Sequence, residues 1–443
     1  MIVPSIDLMD GQTVQLVQGK TKVLDAGDPR PIAEKFARVG EIAVVDLDAA
    51  LSRGSNAALI EPLLRVAPCR VGGGIRDAET ALRWLDRGAT KVVLGTAAKP
   101  EILHKLPRAR VVAALDARDG NVVVEGWTKA TGASIADRLR ELIPFVGGFL
   151  VTFVEREGTM TGTNLELARE LQRAIDEAGD RGRKYGPTRL TIAGGVRIAA
   201  EIGELDRAGM DAQIGMALYT GAFDLGDAVS ECLTSDRPDG LWPTIVADEH
   251  GVALGLAYSN KQSLKASLDE GRGVYWSRRR GLWRKGEESG AVQTLLRVDA
   301  DCDRDCLRFT VRQGGSGIDV RAGAFCHVGT RTCFGSTDPA SDAEETIATL
   351  ARRLARPPSN RDSASYTSRL LADPGLLHAK LREEADELTR AATLEETAHE
   401  AADVIYFTLV KLAASGVTLE DVERVLRLRS RKVSRRAGDA KPA

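Results

Sequence analysis

Long apolar runs, net charge and cysteine are all scarce in this 443-residue sequence. No apolar run approaches the roughly 18 residues of a membrane-spanning helix, so no such helix is expected. The first residues lack a basic segment followed by an apolar stretch, so no secretory signal peptide is expected. A formal net charge of −2 gives no whole-chain attraction to nucleic acid or to an acidic membrane. These absences predict a cytoplasmic protein without nucleic-acid or membrane partners.

Length and composition indicate several folded domains. A chain of 443 residues exceeds one ordinary hydrophobic core, and 43% hydrophobic with 28% charged residues is typical of globular proteins. The turn-rich segments Asp236–Gly240 and Gly335–Pro339 separate three regions, and a basic tail after them is predicted to be disordered. The predicted boundaries are 1–228, 236–335, 340–432 and 433–443.

The six cysteines are unevenly placed. Cys69 and Cys232 are isolated, which is typical of core residues. The other four lie within Asp299–Cys333, and they are Cys302, Cys306, Cys326 and Cys333. In a reducing compartment, clustered cysteines indicate metal ligands rather than disulfides. Cys306 could be either an alternative ligand or a buried thiol.

Three aspartates share this stretch with the cysteines. Asp301, Asp303 and Asp305 alternate with Cys302 and Arg304. On a strand, the period of two would place the three carboxylates on one face and Cys302 on the other. Carboxylate oxygens suit Mg²⁺ and thiolates suit Zn²⁺. The sequence therefore predicts one strand that serves two metals.

An internal repeat occupies residues 1–228. Three marker segments return in the same order in the second half. The first copies are Ile6–Gly11, Gly73–Arg76 and Leu94–Ala97, and the second copies are Leu115–Gly120, Gly194–Arg197 and Ile214–Ala217. Between the markers, short apolar strands alternate with helical segments, which is typical of parallel β/α units. Two four-unit halves predict a (β/α)₈ TIM barrel.

Glycines follow several of the predicted barrel strands. Backbone N–H groups beside such glycines can bind phosphate, and one site in each half fits a substrate with a phosphate at each end. A tight turn is the alternative for any single glycine pair. The candidate phosphate-binding residues are Gly73, Gly74, Gly95, Thr96, Gly194, Gly195 and Gly215.

Over nearly all of residues 1–225, these motifs resemble the isomerase of histidine biosynthesis that converts ProFAR to PRFAR. The resemblance implies that Asp7 and Asp116, at matched positions of the repeat, act as general base and acid. It also implies a catalytic role for Thr152 on the next strand.

The chain departs from this family at four positions. Gln15 and Met216 replace arginines, whereas Phe153 replaces an acidic residue and Glu157 replaces an aspartate. These changes leave open a degenerate, non-catalytic barrel beside two active regions. The barrel could also isomerise an intermediate of the tryptophan pathway, but no specific residue supports this alternative.

Residues 236–335 predict a small α+β metal-binding domain. Its motifs are Tyr275–Arg278, Leu282–Gly290 and the Asp/Cys stretch, which ends in Cys326-His327 and Cys333. Together they resemble phosphoribosyl-AMP cyclohydrolase. The resemblance implies a Zn²⁺ that is shared across a homodimer interface, and a separate Mg²⁺. The implied ligands are Cys302, Cys326 and Cys333 for Zn²⁺, and Asp301, Asp303 and Asp305 for Mg²⁺.

Further roles in this region follow from side-chain chemistry. Three thiolates leave a fourth zinc position open, as in catalytic zinc sites, and His327 beside a ligand is a candidate proton shuttle. The basic segment 278–285 favours phosphate binding, with Trp276, Arg278 and Lys285 as candidates, over a merely solvated face. A zinc-stapled interaction protein without catalysis is the alternative function.

Residues 340–432 predict an all-α bundle. Two of its helices carry Glu384-x-x-Glu387 and Glu400-x-x-Asp403, and this spacing places each pair on one helix face. Four carboxylates between two helices predict a Mg²⁺ site, although many helices are glutamate-rich without one. With Ser365–Leu370, the region resembles phosphoribosyl-ATP pyrophosphohydrolase of the MazG-like superfamily.

The three resemblances are consecutive steps of one pathway. The helical region would hydrolyse phosphoribosyl-ATP to phosphoribosyl-AMP and pyrophosphate. The middle region would open the purine ring of phosphoribosyl-AMP to give ProFAR, which the barrel would isomerise. The order of the domains is then opposite to the order of the reactions.

Overall fold

The fold is described from a computed structural model. It covers residues 1–19, 21–118, 121–124, 129–179, 187–314, 324–334, 346–355 and 365–434. Three regions follow one another along the chain: a barrel, a small mixed sheet and a group of helices. The predicted loop at 177–187 begins later than expected, because the helix before it continues to Gly179. Residues 180–186 lie outside the described part of the chain.

Twelve strands form the sheet of the first region. They are β1 Ile2–Met9, β2 Gln12–Val17, β3 Thr21–Gly27, β4 Ile42–Asp46, β5 Cys69–Gly72, β6 Lys91–Leu94, β7 Val111–Arg118, β8 Asn121–Val124, β9 Lys129–Ser134, β10 Gly148–Phe153, β11 Arg189–Ala193 and β12 Asp211–Ile214.

Eight of these strands close into a parallel barrel, as predicted. Their order is β1-β4-β5-β6-β7-β10-β11-β12, and β12 pairs with β1 to complete the circle. The remaining four form two antiparallel hairpins, β2–β3 after β1 and β8–β9 after β7. The sequence did not predict these hairpins. Their equivalent positions extend the repeat, because each half of the barrel begins with one strand and one hairpin.

Helices surround the barrel. They are α1 Pro29–Phe36, α2 Leu47–Ala50, α3 Ala57–Val66, α4 Ala78–Arg87, α5 Pro100–Leu103, α6 Ile135–Leu142, α7 Leu165–Gly179, α8 Ala199–Arg207, α9 Met216–Tyr219 and α10 Leu225–Ser230. The sequence predicts a helix over Ala78–Arg87, and α4 has these bounds because residues at both of its ends favour them. Asp77 caps its first turn, accepting from Thr80 N at 2.7 Å, and Gly88 ends it at φ 116°.

The middle region is a four-stranded sheet with one helix and one hairpin. Its elements are β13 Trp242–Asp248, β14 Ala253–Ser259, α11 Lys261–Glu270, β15 Val274–Ser277, β16 Gly281–Arg284, β17 Gln293–Ala300 and β18 Leu307–Gln313. The sheet order is β14-β13-β18-β17, and β15 pairs with β16. From its apolar patterns, the sequence predicts strands at 243–248, 253–258, 274–277, 292–299 and 307–313 and a helix at 261–270, so β16 is the element of this region that it does not predict.

The predicted strand at Asp301–Asp305 is wrong. These residues form a turn between β17 and β18, with Arg304 at φ 68°. The Asp301 carboxylate explains the turn, because its Oδ1 accepts from the backbone N–H groups of Asp305 and Cys306 at 3.1 Å each. The alternation of faces that the sequence suggested does not apply here.

The last region is helical, as predicted. Its helices are α12 Ile347–Leu354, α13 Tyr366–Ala372, α14 Pro374–Arg390, α15 Leu394–Ala414 and α16 Leu419–Ser430. Helix α13 was not predicted. Thr418 caps α16 as predicted, in a reciprocal box with Asp421. No single helix in the described ranges is long and apolar enough to cross a membrane, and only α15 and α16 together pass that test, across a bend of 108°.

The three regions pack against one another. Buried side chains of the barrel and the middle sheet form one continuous hydrophobic cluster, whereas the helical region has its own. Helices α10 and α11 meet closely at Gly226, where a Cβ would lie 2.5 Å from Lys265 Cα. Helix α16 packs its Leu428 onto Gly88 of the barrel.

The predicted disordered tail does not begin at 433. Backbone N–H groups of Val433 and Ser434 donate to the carboxylate of Asp86. Residues 435–443 lie outside the described part of the chain.

Candidate functional site

The candidate acid–base residues occupy equivalent positions in the barrel. Asp7 and Asp116 each lie two residues before the end of an eight-residue strand, β1 and β7 respectively. Thr152 of β10 is the registered neighbour of Asp116 across the parallel pair. The structure therefore places all three residues toward the carboxyl ends of barrel strands, where active sites of this fold are built.

Burial tunes the first of these carboxyl groups. Desolvation raises the pKa of Asp7 to about 6, although a hydrogen bond from Ser5 Oγ at 2.9 Å opposes the rise. A carboxyl group with this pKa is mostly ionised at neutral pH and still basic enough to accept a proton. That property suits a general base.

Glu157 is a third carboxyl group in the barrel mouth. Burial, with the neighbouring charges of Asp7 and Asp116, raises its pKa to about 8. Its Oε2 lies 3.2 Å from the point where a Cβ on Gly194 would sit, beside a candidate phosphate loop. The sequence identified Glu157 only as a departure from the resembled family. Its raised pKa depends on burial and on the charges of Asp7 and Asp116, which are distant in the sequence and cannot be identified from a local motif.

The glycine pairs adopt backbone conformations that other residues avoid. Gly73 and Gly74 have φ of 92° and 69°, and Gly194 and Gly195 have φ of 93° and 85°. A Cβ on Gly73 would lie 2.2 Å from Asp46 O, and one on Gly194 would lie 2.7 Å from Phe153 O. Both glycine pairs therefore make tight turns, the first packed against the end of β4 and the second against the end of β10. Phosphate binding there, and at Gly95, Thr96 and Gly215, stays a prediction.

The replaced residues of the barrel are buried. Gln15 is 3% exposed, donates to Val14 O at 2.9 Å and places Oε1 2.6 Å from where a Cβ on Gly215 would sit. Phe153 and Met216 are 1% and 9% exposed. A neutral amide and two apolar side chains thus occupy places where the resembled family has charged groups.

The middle region brings two of the three predicted thiol ligands together. The side chains of Cys326 and Cys333 are within hydrogen-bonding reach of each other. Their loop is attached to the sheet by a hydrogen bond from Cys333 N to Leu254 O at 2.8 Å. A hydrogen bond from the backbone of Val328 helps to lower the pKa of Cys326, whereas burial raises the pKa of Cys333 to about 11. Cys302 is exposed and joins no cluster of metal-binding side chains among the described residues.

The other candidate residues of this region lie around the thiol pair and the β15–β16 hairpin. His327 is exposed beside Cys326, with 3.8 Å between Nδ1 and Sγ. Lys285 is buried under the pair, and its Nζ lies 3.5 Å from Ala324 O. Trp276 and Arg278 lie at the hairpin, where Arg278 stacks on the Tyr258 ring at 4.8 Å. Lys285 and Arg278 therefore have different surroundings, although the sequence grouped them as phosphate ligands.

Three aspartates converge at the turn that replaces the predicted strand. Asp301, Asp303 and Asp305 present oxygen atoms within 4.8 Å of one another. Their mutual repulsion is visible in Asp305, whose pKa is raised by desolvation and by the charges of Asp303 and Asp301. Such a group is stabilised by a divalent cation, so the donor set fits Mg²⁺.

The four helical carboxylates converge as predicted. Glu384, Glu400 and Asp403 lie within 4.8 Å of one another, and Glu387 lies within the same distance of Glu384. Desolvation and the charges of Glu387, Glu384 and Asp403 raise the pKa of Glu400. Lys380 binds Glu384 at 2.8 Å and leaves most of the negative charge uncompensated. Hard oxygen ligands on two facing helices fit Mg²⁺.

Comparison with known families gives the chain its classification. A family model described as histidine biosynthesis protein matches residues 1–224. The chain belongs to this histidine biosynthesis family. Two further models match other parts of the same chain: phosphoribosyl-AMP cyclohydrolase over residues 255–335 and phosphoribosyl-ATP pyrophosphohydrolase over residues 347–430.

Curated relatives agree with this family assignment. The chain is 48% identical over 221 residues to the histidine biosynthesis bifunctional protein his7 of Schizosaccharomyces pombe, which is 50% of each chain. It is 36% identical over 340 residues to the histidine biosynthesis trifunctional protein of Neurospora crassa, covering 75% of this chain and 37% of the relative. It is 38% identical over 242 residues to an imidazole-4-carboxamide isomerase of Halobacterium salinarum, covering 95% of that enzyme. The chain thus spans half or less of the bifunctional and trifunctional relatives.

Proposed function

We propose that this chain is a histidine-biosynthesis enzyme with three activities. It hydrolyses phosphoribosyl-ATP to phosphoribosyl-AMP and pyrophosphate, opens the purine ring of phosphoribosyl-AMP to give ProFAR, and isomerises ProFAR to PRFAR. The observation that carries the proposal is that three family models, for consecutive steps, match successive parts of one chain. Each matched part also contains its own cluster of chemically suitable side chains.

In the barrel, Asp7 and Asp116 exchange protons with the substrate. Ring opening needs a proton on the ribose ring oxygen, and isomerisation needs a proton removed from carbon 2. Asp7, with a pKa of about 6, can hold either protonation state near neutrality. Glu157, with a pKa of about 8, keeps its proton at pH 7 and so adds no second negative charge beside Asp7. The two glycine turns lie beside the same mouth and would receive the two phosphates.

In the middle region, Cys326, Cys333 and Cys302 would hold Zn²⁺, and Asp301, Asp303 and Asp305 would hold Mg²⁺. The paired thiols and the converging aspartates support this assignment. Zn²⁺ supplies the activation of water at neutral pH in such sites. His327 is exposed beside the thiols and would move the proton. Arg278 would bind the phosphate through its guanidinium group.

A homodimer completes this site in our proposal. Cys302 lies outside the cluster of the other two thiols within one subunit, so a second copy would supply it. Free thiols at a functional zinc site require a reducing compartment, which is why we place the enzyme in the cytoplasm.

In the helical region, Glu384, Glu387, Glu400 and Asp403 would hold Mg²⁺ against the pyrophosphate linkage. The buried Glu384, paired with Lys380, fixes one side of the group. Mg²⁺ supplies charge neutralisation at the phosphates. The carboxylates of α14 and α15 would hold the cation.

The whole pathway segment is tested by supplying phosphoribosyl-ATP to the full chain with Zn²⁺ and Mg²⁺. Mass spectrometry is expected to find pyrophosphate and PRFAR. The Asp7→Asn variant is expected to stop at ProFAR, because the base is lost while the other two sites remain. Accumulation of unreacted phosphoribosyl-AMP by the metal-loaded wild type would overturn the cyclohydrolase assignment.

The alternative is a bifunctional enzyme with a degenerate barrel. The burial of Gln15, Phe153 and Met216 at positions that carry charge in the resembled family is the observation in its favour. In that case the wild type itself stops at ProFAR, and Asp7→Asn changes nothing. The same assay therefore separates the two functions.

A further inference from the structure

A buried carboxylate links the cyclohydrolase region to the helical region. Asp248 is the last residue of β13, and its side chain is 0% exposed. Its Oδ1 accepts from the backbone N–H groups of His250 at 3.0 Å and Val252 at 2.9 Å. Its Oδ2 accepts from two guanidinium groups, Arg331 Nη2 and Arg352 Nη1, at 3.0 Å each.

Such a group is maintained only when it is fully paired. A buried, ionised carboxylate without partners is strongly destabilising. Burial opposes the ionisation of Asp248, but the hydrogen bonds from Arg331 and Val252 and the charge of Arg352 outweigh it, and its pKa is lowered. Asp248 is therefore an anion that organises both arginines around one oxygen atom.

Arg331 belongs to the loop that carries the thiols. Within 324–334, Cys326 N donates to Thr330 O at 3.0 Å and Phe325 N donates to Arg331 O at 3.2 Å. These bonds shape the loop internally. Gln313 Nε2 of β18 donates to Ala324 O at 3.2 Å, and Cys333 N donates to Leu254 O at 2.8 Å, so each end of the loop is tied to the sheet. Between the two cysteines, the ion pair of Arg331 with Asp248 ties the loop to β13. Asp248 therefore helps to fix the positions of the two sulfur atoms.

Arg352 comes from the other side, on α12 of the helical region. Two residues further on, Leu354 is 3% exposed and packs in the hydrophobic cluster of that region. Helix α12 is therefore fixed to the helical region while Arg352 reaches into the cyclohydrolase region. Asp248 precedes the segment matched by the cyclohydrolase model, 255–335, and Arg352 lies within the pyrophosphohydrolase match, 347–430.

We propose that Asp248 is a positioning residue for the Cys326–Cys333 thiol pair, and that Arg352 makes this positioning depend on the helical region. The inference rests on the proposed zinc site. It extends that proposal, because a residue of one catalytic region then sets the metal affinity of another. Asp248 is buried and acts through its ion pair with Arg331.

The test measures zinc affinity on the full chain by competition with a chromogenic chelator. Asp248→Asn removes the negative charge and leaves one acceptor oxygen for four donors, the two guanidinium groups and two backbone N–H groups. The loop anchor is weakened, and the zinc dissociation constant is expected to rise about tenfold. Arg352→Gln is expected to raise it less, since Arg331 remains, and Arg352→Lys is expected to restore most of the affinity. Alkylation of Cys326 and Cys333 in zinc-free protein should accelerate in the same order.

Glu420→Gln is the matched control. It removes another ion pair between the same two regions, Arg312–Glu420, which does not touch the thiol loop, so zinc affinity should stay unchanged. Unchanged affinity and alkylation in folded Asp248→Asn would overturn the inference. If that variant does not fold, unchanged affinity in Arg352→Gln overturns it. A wild type that binds no zinc would overturn the proposed zinc site itself, which is a separate result.

Discussion

In the helical region, Glu384, Glu400 and Asp403 meet within 4.8 Å, whereas in the middle region Cys302 stays outside the pair of Cys326 and Cys333. Both sets come from residues distant in sequence. The difference lies in the elements that carry them. Two helices joined by a short turn bring i,i+3 pairs together within one chain, whereas a turn and a separate loop do not. The carboxylates therefore gather within one chain, whereas the proposed thiol site calls for a second copy to supply Cys302.

The largest expected effect is at the helical carboxylates. Glu384→Gln removes one oxygen anion from the predicted Mg²⁺ site and should reduce pyrophosphate release at least about a hundredfold, because metal ligation is worth several kcal/mol. Enzyme dilution should not change this activity. The exposed Glu395→Gln in the first turn of the facing helix α15 is the control, and a comparable loss there would contradict the assignment.

The second effect concerns the thiols. Cys302→Ser and Cys326→Ser should each abolish ring opening. When the two inactive proteins are mixed and allowed to exchange subunits, about a quarter of the wild-type activity should return, because half of the dimers are hybrids with one intact site of two.

Mixing equal amounts of two Cys326→Ser preparations is the control and should restore nothing. If subunit exchange is verified and the Cys302→Ser/Cys326→Ser mixture still shows no activity above background, all three thiols act within one subunit.

A third, moderate effect concerns Glu157, whose carboxyl group lies with those of Asp7 and Asp116 in the barrel mouth. The raised pKa of Glu157, about 8 against 4.5, means that the folded state holds the proton more tightly than the unfolded chain. The resulting stability is present at low pH and is lost as the pH rises through about 8. Glu157→Gln should therefore raise the unfolding temperature by several degrees at about pH 9 and leave it unchanged at about pH 4.

Calorimetry at the two pH values checks this prediction. Glu166→Gln in the first turn of α7 serves as a control outside the mouth. An equal stabilisation by Glu157→Gln at both pH values would show that its charge is not the cause.

The smallest expected effect is at Cys306. Its thiol is half-buried and donates to Leu307 O at 3.7 Å, away from the Cys326–Cys333 pair. Cys306→Ser should leave the zinc content of the purified protein unchanged, as measured by atomic emission. A loss of bound zinc would make Cys306 a ligand.

Several elements could be predicted from the sequence because their signals are local. Helix α11 has the predicted bounds, Lys261–Glu270, since Asn260 caps one end and Gly271, in the left-handed conformation, ends the other. The barrel followed from the repeat, because each half repeats the same order of strands. The convergence of the helical carboxylates followed from i,i+3 spacing and a short connection.

Other features were not predictable, for equally specific reasons. The turn at Asp301–Asp305 arises because a carboxylate binds two backbone N–H groups, which competes successfully with the strand pattern. The pKa of Glu157 depends on Asp7 and Asp116, which come close only when the barrel closes.

The sequence by itself determined which chemical groups are present and which local elements carry them: matched aspartates in a repeated barrel, thiols and aspartates in a small sheet, and paired carboxylates on helices. The tertiary structure alone decided which groups meet. Asp248 and Arg352, 104 residues apart, form an ion pair across two regions, and no local pattern marks either residue. The physical reason is that burial and charge pairing are properties of the packed chain, since they depend on neighbours that folding brings from elsewhere.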